Sequence, residues 1–283
     1  MVTDFFQRIK NIFTHRVAPR DVALVLSGGG ARGYAHIGAI EELERRGYHI
    51  TSVAGTSIGA LVGGLYAAEK LQELKSIVLG INRKEMLHIM DISPGFNHLM
   101  SGNKLMDILN ELVGDTRIED LPKNFCCVAS DLSDGSEKVF YEGMLSQAIR
   151  ASISIPCFFK PVIEGHHVYV DGSIHNTLPL NRVQRHPHDI LVAVNVSAPD
   201  DTPWTSTDNY FKMAVRVSQV AVITNTQMAM KITPPDICVD VPLTKFGMMD
   251  FNNAEEIIDY GREEMARQLD AFEERKINRI AVL

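Results

Sequence analysis

Apolar residues fall into short runs and helical stripes that alternate from Val22 to about Pro199. Residues 22–26 form a β-rich run that ends in glycines. Residues 35–46 follow as a helix, with Ile37, Ile40 and Leu43 on one face and Gly47 as the stop. A second strand is expected at 50–54, and a largely apolar, hence buried, helix at 58–71. Residues 105–113 read as a helix, and 125–129 and 138–141 as strands around a turn at Ser133, Asp134 and Gly135. A strand at 167–170 is closed by Asp171 and Gly172, and 190–196 reads as a buried strand. Such alternation predicts a mostly parallel sheet with helices on both faces. Beyond Pro199 come a long helix at 209–230 bearing Met213, Met228 and Met230, a strand at 237–241 and a charged helix at 254–275. The organisation expected is an amphipathic segment at 1–20 and one domain at 21–283. That domain divides into a motif-bearing core at 22–197 and a helical extension at 200–283.

Composition narrows the class. The 283 residues are 45% hydrophobic and 22% charged, as in ordinary folded chains and unlike disordered ones. A net charge of −7 argues against a nucleic-acid partner, which calls for a basic surplus. Cys126, Cys127, Cys157 and Cys238 form neither a disulfide framework nor a CxxC pair, and fit a reducing, cytoplasmic setting. The charge is unevenly spread. Arg8, Lys10, Arg16 and Arg20 against Asp4 make the first twenty residues +3, leaving −10 for the rest. Phe5, Phe6, Ile9, Ile12, Phe13 and Val17 lie at helical spacing there, so residues 1–17 are a candidate for peripheral contact with the inner face of a membrane. Packing on the domain itself, or on a second subunit of a homo-oligomer, stays equally open. Asp4 interrupts any secretory apolar stretch. The nineteen uncharged residues 50–68 hold Thr51, Ser52, Thr56, Ser57 and four glycines, and suit a buried strand, turn and helix better than a membrane span.

Two glycine motifs carry the chemistry. Residues 27–33 read SGGGARG between a strand and a helix, where backbone N–H groups and a helix N-terminus make an anion site without charged side chains. Gly28, Gly30 and Gly33 satisfy GxGxxG, so a dinucleotide-binding oxidoreductase is an alternative. That fold wants an acidic residue at the end of the second strand, and none occurs between Glu44 and Glu69. Gly55, Thr56, Ser57, Ile58 and Gly59 stand there instead, a GxSxG in the strand-to-helix setting of a nucleophile elbow. An oxyanion cradle beside an exposed serine is what acyl transfer requires. For the base, His186 and His188 could complete a histidine triad, although only two strands precede this elbow. Asp171, at a strand end before Gly172, could instead take the hydroxyl proton directly if an apolar setting raises its pKa. The apolar helix at 209–230 is a candidate wall for an acyl pocket.

Taken in order, the glycine loop from Gly28 through Gly29, Gly30 and Arg32 to Gly33, the elbow from Gly55 to Gly59, and the turn at Asp171 and Gly172 resemble the patatin-like phospholipase family. The segment 148–161 (AIRASISIPCFFKP) is also similar to the one ahead of the family's aspartate. The resemblance spans about 22–197 and is nearest to bacterial stand-alone members related to neuropathy target esterase. It implies a three-layer α/β/α sandwich and a Ser–Asp dyad without histidine. Ser57 would be the nucleophile and Asp171 the base, and the Gly28, Gly29 and Gly30 N–H groups would form the oxyanion hole with Arg32 in the loop's basic position. Neither cofactor nor metal is implied, and the expected substrate is a lipid or other carboxylic ester. Ser173 departs from the family, which usually has Ala or Gly there; a serine is small enough to fit. A regulatory or scaffold protein with incidental esterase activity is a further alternative.

Overall fold

A mixed, mostly parallel sheet forms the middle layer of the protein. The computed structural model describes residues 20–81, 83–89, 101–156, 158–199 and 210–281; the amphipathic segment expected at 1–17 and Cys157 lie outside the described residues. The strands are β1 (Asp21–Leu26), β2 (His49–Thr56), β3 (Asn124–Asp131), β4 (Ser136–Phe140), β5 (Val162–Glu164), β6 (His167–Asp171), β7 (Ile190–Ala198) and β8 (Ile237–Pro242). They pair in the order β5-β6-β3-β2-β1-β7-β8, with β4 also on β3. β2, β1, β7, β8 and the first part of β3 run parallel. β1 after Asp21 and all nine positions of β7 are buried, which is why these strands read as unbroken apolar runs rather than alternating ones.

Helices cover both faces. In chain order they are α1 (Ala35–Arg45), α2 (Ile58–Ala67), α3 (Leu71–Gly80), α4 (Arg83–Ile89), α5 (Asn103–Val113), α6 (Leu145–Ser152), α7 (Tyr210–Ile232) and α8 (Ala254–Ala281). The β1-to-β2 and β7-to-β8 crossovers leave the centre of the sheet in opposite directions. Right-handed connections therefore put α1 and α7 on opposite faces. The larger core cluster joins Leu24, Ile37, Leu65, Ile149 and Met265, so α1, α2, α6 and α8 share one face. The other face packs Ala23, Val25, Leu191 and Ala193 against Leu178, Leu180 and Met230, and α7 is its principal cover.

One expectation changes. The helix expected at 58–71 stops at Ala67, and a separate helix starts at Leu71. Between them Glu69 adopts φ 60°, and the Lys70 N–H closes on the Leu65 carbonyl. Beyond Pro199, β8 extends the sheet and α8 packs along α1. The short helix α6 was not expected: eight residues offer too few turns for a periodic stripe to stand out.

The register of β3 fixes the site. β4 occupies one edge of β3 from Cys127 to Asp131. A strand has two edges, so β2 and β6 must share the other. β2 pairs up to Thr56 opposite Val128, and β6 begins with Asp171 opposite Ala129. β2 and β6 thus meet end to end along β3, one running in parallel and the other antiparallel. The residue that follows Thr56 is Ser57.

Candidate active site

Ser57 sits in the turn from β2 to α2 with φ 56° and ψ −126°, a backbone region that costs a non-glycine residue about 1–3 kcal/mol. The flanking glycines make the turn possible. A Cβ on Gly55 would stand 2.7 Å from the Ala60 nitrogen, and one on Gly59 2.6 Å from the Leu26 carbonyl carbon. The Ser57 N–H donates to Ser152 Oγ (2.9 Å), whose hydroxyl donates to the Val128 carbonyl (2.6 Å), so α6 and β3 hold the elbow from below.

Asp171 is 4% exposed, as is Ser57. Its Oδ1 accepts the Ser173 N–H at 2.8 Å. Burial raises its pKa above the ordinary carboxylate value, opposed by hydrogen bonding from the Ser57 hydroxyl and from the N–H and hydroxyl of Ser173. The nucleophile candidate and the base candidate are therefore direct neighbours. Gly172 permits the approach, since a Cβ there would lie 2.6 Å from the Val128 carbonyl carbon. His186 and His188 are brought nowhere near Ser57. They precede β7 at its N-terminal end, and Leu26, at the end of β1 nearest Ser57, pairs with Val194, about 13 Å of strand beyond Ile190.

The glycine loop follows β1 on the other side of Ser57. A Cβ on Gly28 would stand 3.2 Å from Ser57 Cβ. Its peptide groups are not equivalent. The Gly28 N–H donates to the Thr177 carbonyl (3.1 Å) and the Ala31 N–H to the Met248 carbonyl (2.9 Å). Among the described residues the Gly29 and Gly30 N–H groups have no backbone acceptor. Of the three N–H groups expected to face an oxyanion, that of Gly28 is therefore engaged elsewhere in this structure. Arg32 differs too. Its Nε donates to the Val196 carbonyl (2.7 Å) and a terminal nitrogen to the Phe246 carbonyl (3.3 Å), tying the loop to β7 and to the segment after β8. Burial lowers its pKa to about 10. Gly33 meets Ile58, with 2.8 Å from its would-be Cβ to Ile58 Cβ, so it serves the contact between loop and elbow.

From Ser57 an apolar cavity of about 890 Å³, its open mouth included, runs between the helices. Its walls come from α2 (Leu61), α3 (Leu74, Ile77) and α5 (Leu105, Ile108), closed by Phe159 and Phe251. Such a lining suits an apolar ligand. The helix expected at 209–230 is absent from these walls among the described residues; it is α7, on the opposite face. Sequence reasoning assigned no role to Ser27 or Ser152, which lie within quoted segments, and missed Ser197 altogether; all three are buried and bonded to the loop or elbow. A single serine at the end of an apolar run, as Ser197 is, leaves no motif by which to find it.

The family model described as patatin-like phospholipase matches residues 24–183. The chain belongs to the patatin-like phospholipase family. The match takes in the glycine loop, the elbow and the Asp171 turn. Its relatives include an uncharacterized NTE family protein of Mycobacterium tuberculosis strain H37Rv. That protein is 38% identical over 186 residues, covering 66% of this chain and 51% of the relative. The lysophospholipase NTE1 of Saccharomyces cerevisiae is 29% identical over 276 residues, covering 85% of this chain and 16% of that protein. This patatin-like chain thus spans about half the length of the mycobacterial relatives it matches. Among solved structures, VipD from Legionella pneumophila shares the fold, with a TM-score of 0.51, 15% sequence identity, and coverage of 90% of this chain and 68% of that one. Among the described residues no helix is long and apolar enough to cross a membrane.

Proposed function

We propose that the protein is a serine lipid acyl hydrolase that cleaves carboxylic esters of long acyl chains through a Ser57–Asp171 dyad. One observation carries the reading: a strained serine against a buried carboxylate, on the wall of an apolar cavity. In the first step Ser57 Oγ attacks the ester carbonyl carbon while Asp171 accepts the hydroxyl proton. The carbonyl oxygen becomes an oxyanion facing the Gly29 and Gly30 N–H groups. Its collapse expels the alcohol, which takes the proton from Asp171, and leaves an acyl-Ser57 ester. Water then attacks that ester, gives its proton to Asp171, and releases the fatty acid as Ser57 regains its hydrogen. The cavity would hold the acyl chain, so the reading favours long apolar acyl groups and leaves the head group outside the helices.

Labelling with a fluorophosphonate probe, read by intact mass, tests it. Wild-type protein is expected to gain one phosphonyl group, Ser57→Ala none, and Asp171→Asn to label at least about 100-fold more slowly. Equal labelling of wild type and Ser57→Ala sinks the reading.

A further inference from the structure

Two successive peptide planes of the glycine loop are held in place by groups that do not touch Ser57. In the first, His36 Nε2 lies 2.9 Å from the Ser27 carbonyl, while the Gly28 N–H on the other side of the plane reaches Thr177. In the second, the Gly28 carbonyl accepts the Ser197 hydroxyl at 2.8 Å and the Ser27 hydroxyl at 3.1 Å. Ser27 Oγ in turn accepts the Val196 N–H at 2.8 Å. Ser197 is 3% exposed, and its own N–H is bound to Asn195 Oδ1 (3.2 Å). Asn195 Nδ2 donates to Asp240 Oδ1 (2.8 Å), so the hydroxyl is anchored through β7 to β8.

A trans peptide is planar, with its C=O and N–H pointing in opposite directions, and no cis bond occurs among the described residues. β1 lies between β7 and β2. A Gly28 carbonyl drawn toward β7 by Ser197 therefore turns the Gly29 N–H toward β2, the side on which Ser57 stands. Both residues of this peptide are glycines, so the backbone alone would accept the plane in either orientation. The Ser197 hydroxyl on β7, at 2.8 Å the shorter of the two donors beside Ser27 at 3.1 Å, is what selects one.

We propose that Ser197 is a positioning residue: by holding the Gly28 carbonyl it keeps the Gly29 N–H aimed at the developing oxyanion before substrate arrives. This rests on the acyl-hydrolase reading above. Pre-orientation of that kind acts on the transition state and not on ground-state binding, because the donor faces a charge that exists only after attack.

The test is steady-state hydrolysis of a soluble short-chain p-nitrophenyl ester by the full chain, with thermal midpoints measured alongside. Ser197→Ala is expected to lower kcat roughly 10–100-fold with KM within about twofold of wild type, since an oriented oxyanion donor is lost only from the transition state. Ser197→Thr, which keeps the hydroxyl, is expected to recover most of that loss. A folded Ser197→Ala with kcat within about threefold of wild type overturns the proposal. So does a loss carried by KM, or a folded Ser197→Thr as slow as the alanine variant. Should Ser197→Ala not fold, Ser197→Thr decides together with Ser197→Cys, whose weaker donor is expected to give intermediate kcat at unchanged KM. Full activity of Ser57→Ala in the same assay would instead count against the dyad reading, and so separates the two failures.

Discussion

Asp171 works against its surroundings. Burial raises its folded pKa above the value it has in the unfolded chain. Between those two values the native state binds more protons than the unfolded state. Stability therefore falls as pH rises through that window and stays lower above it. Asp171→Asn removes the buried charge while keeping the shape. Calorimetry at neutral pH should show a raised midpoint, by about 2–4 °C for each kcal/mol recovered. The same variant should lose about 10²–10⁴-fold in kcat, since the general base is gone. A lowered midpoint would mean that the Ser57 and Ser173 hydrogen bonds outweigh burial. In the wild type only ionised Asp171 can take the proton, so kcat/KM should decline on the acid side at a pH above the ordinary carboxylate range. An acid limb at the ordinary carboxylate value would remove burial from the account. Ser57 and Asp171 were each legible in the sequence, one from GxSxG and the other from an Asp-Gly at a strand end. Which N–H groups of the loop are engaged was not, because Thr177 and Met248 reach it from distant segments through backbone carbonyls that carry no residue signature.

At the scale of elements, the elbow and the helices around it answer to different constraints. Gly59 lets α2 press against the end of β1, and a Cβ there would meet the backbone of Leu26 and Ser27, which cannot swing aside. Gly59→Ala is expected to cost more than about 2 kcal/mol in urea unfolding. Gly80, the last residue of α3, has nothing within 4 Å of a would-be Cβ. Gly80→Ala should stabilise by about 0.5–1 kcal/mol and leave catalysis untouched. Equal effects of the two would contradict the packing account. The cavity gives a third comparison. Ile108→Trp narrows the α5 wall away from the dyad, so kcat/KM should drop at least about tenfold for long-chain esters while short-chain esters react as before. Uniform loss across chain lengths would place the acyl chain elsewhere. The apolar character of α2 was plain in the sequence. Its service as a cavity wall was not, because the same stripe of leucines is written whether the facing helices close on it or leave a gap.

In the whole molecule, the alternation of strand and helix up to Pro199 foretold a mostly parallel sheet, but not the way β6 joins it. Parallel neighbours follow from crossover helices, whereas β6 enters antiparallel and fills the length of β3 that β2 leaves unpaired. No local pattern encodes that division of an edge; it is decided by where Thr56 ends and by the turn that Asp171 opens. The two faces of the sandwich are also unequal: among the described residues α1, α2, α6 and α8 share one, while α7 is the principal cover of the other. The meeting of β2 and β6 has a mechanical meaning. Ser57 and Asp171 are spaced by one unbroken strand, and they can part only if ladder hydrogen bonds are torn from it. The cavity walls come from helices that do not set that spacing. On the proposed hydrolase reading, tolerance for the guest and competence toward it are thereby uncoupled: remodelling the walls would change which esters are admitted, and those admitted would meet the same fixed pair.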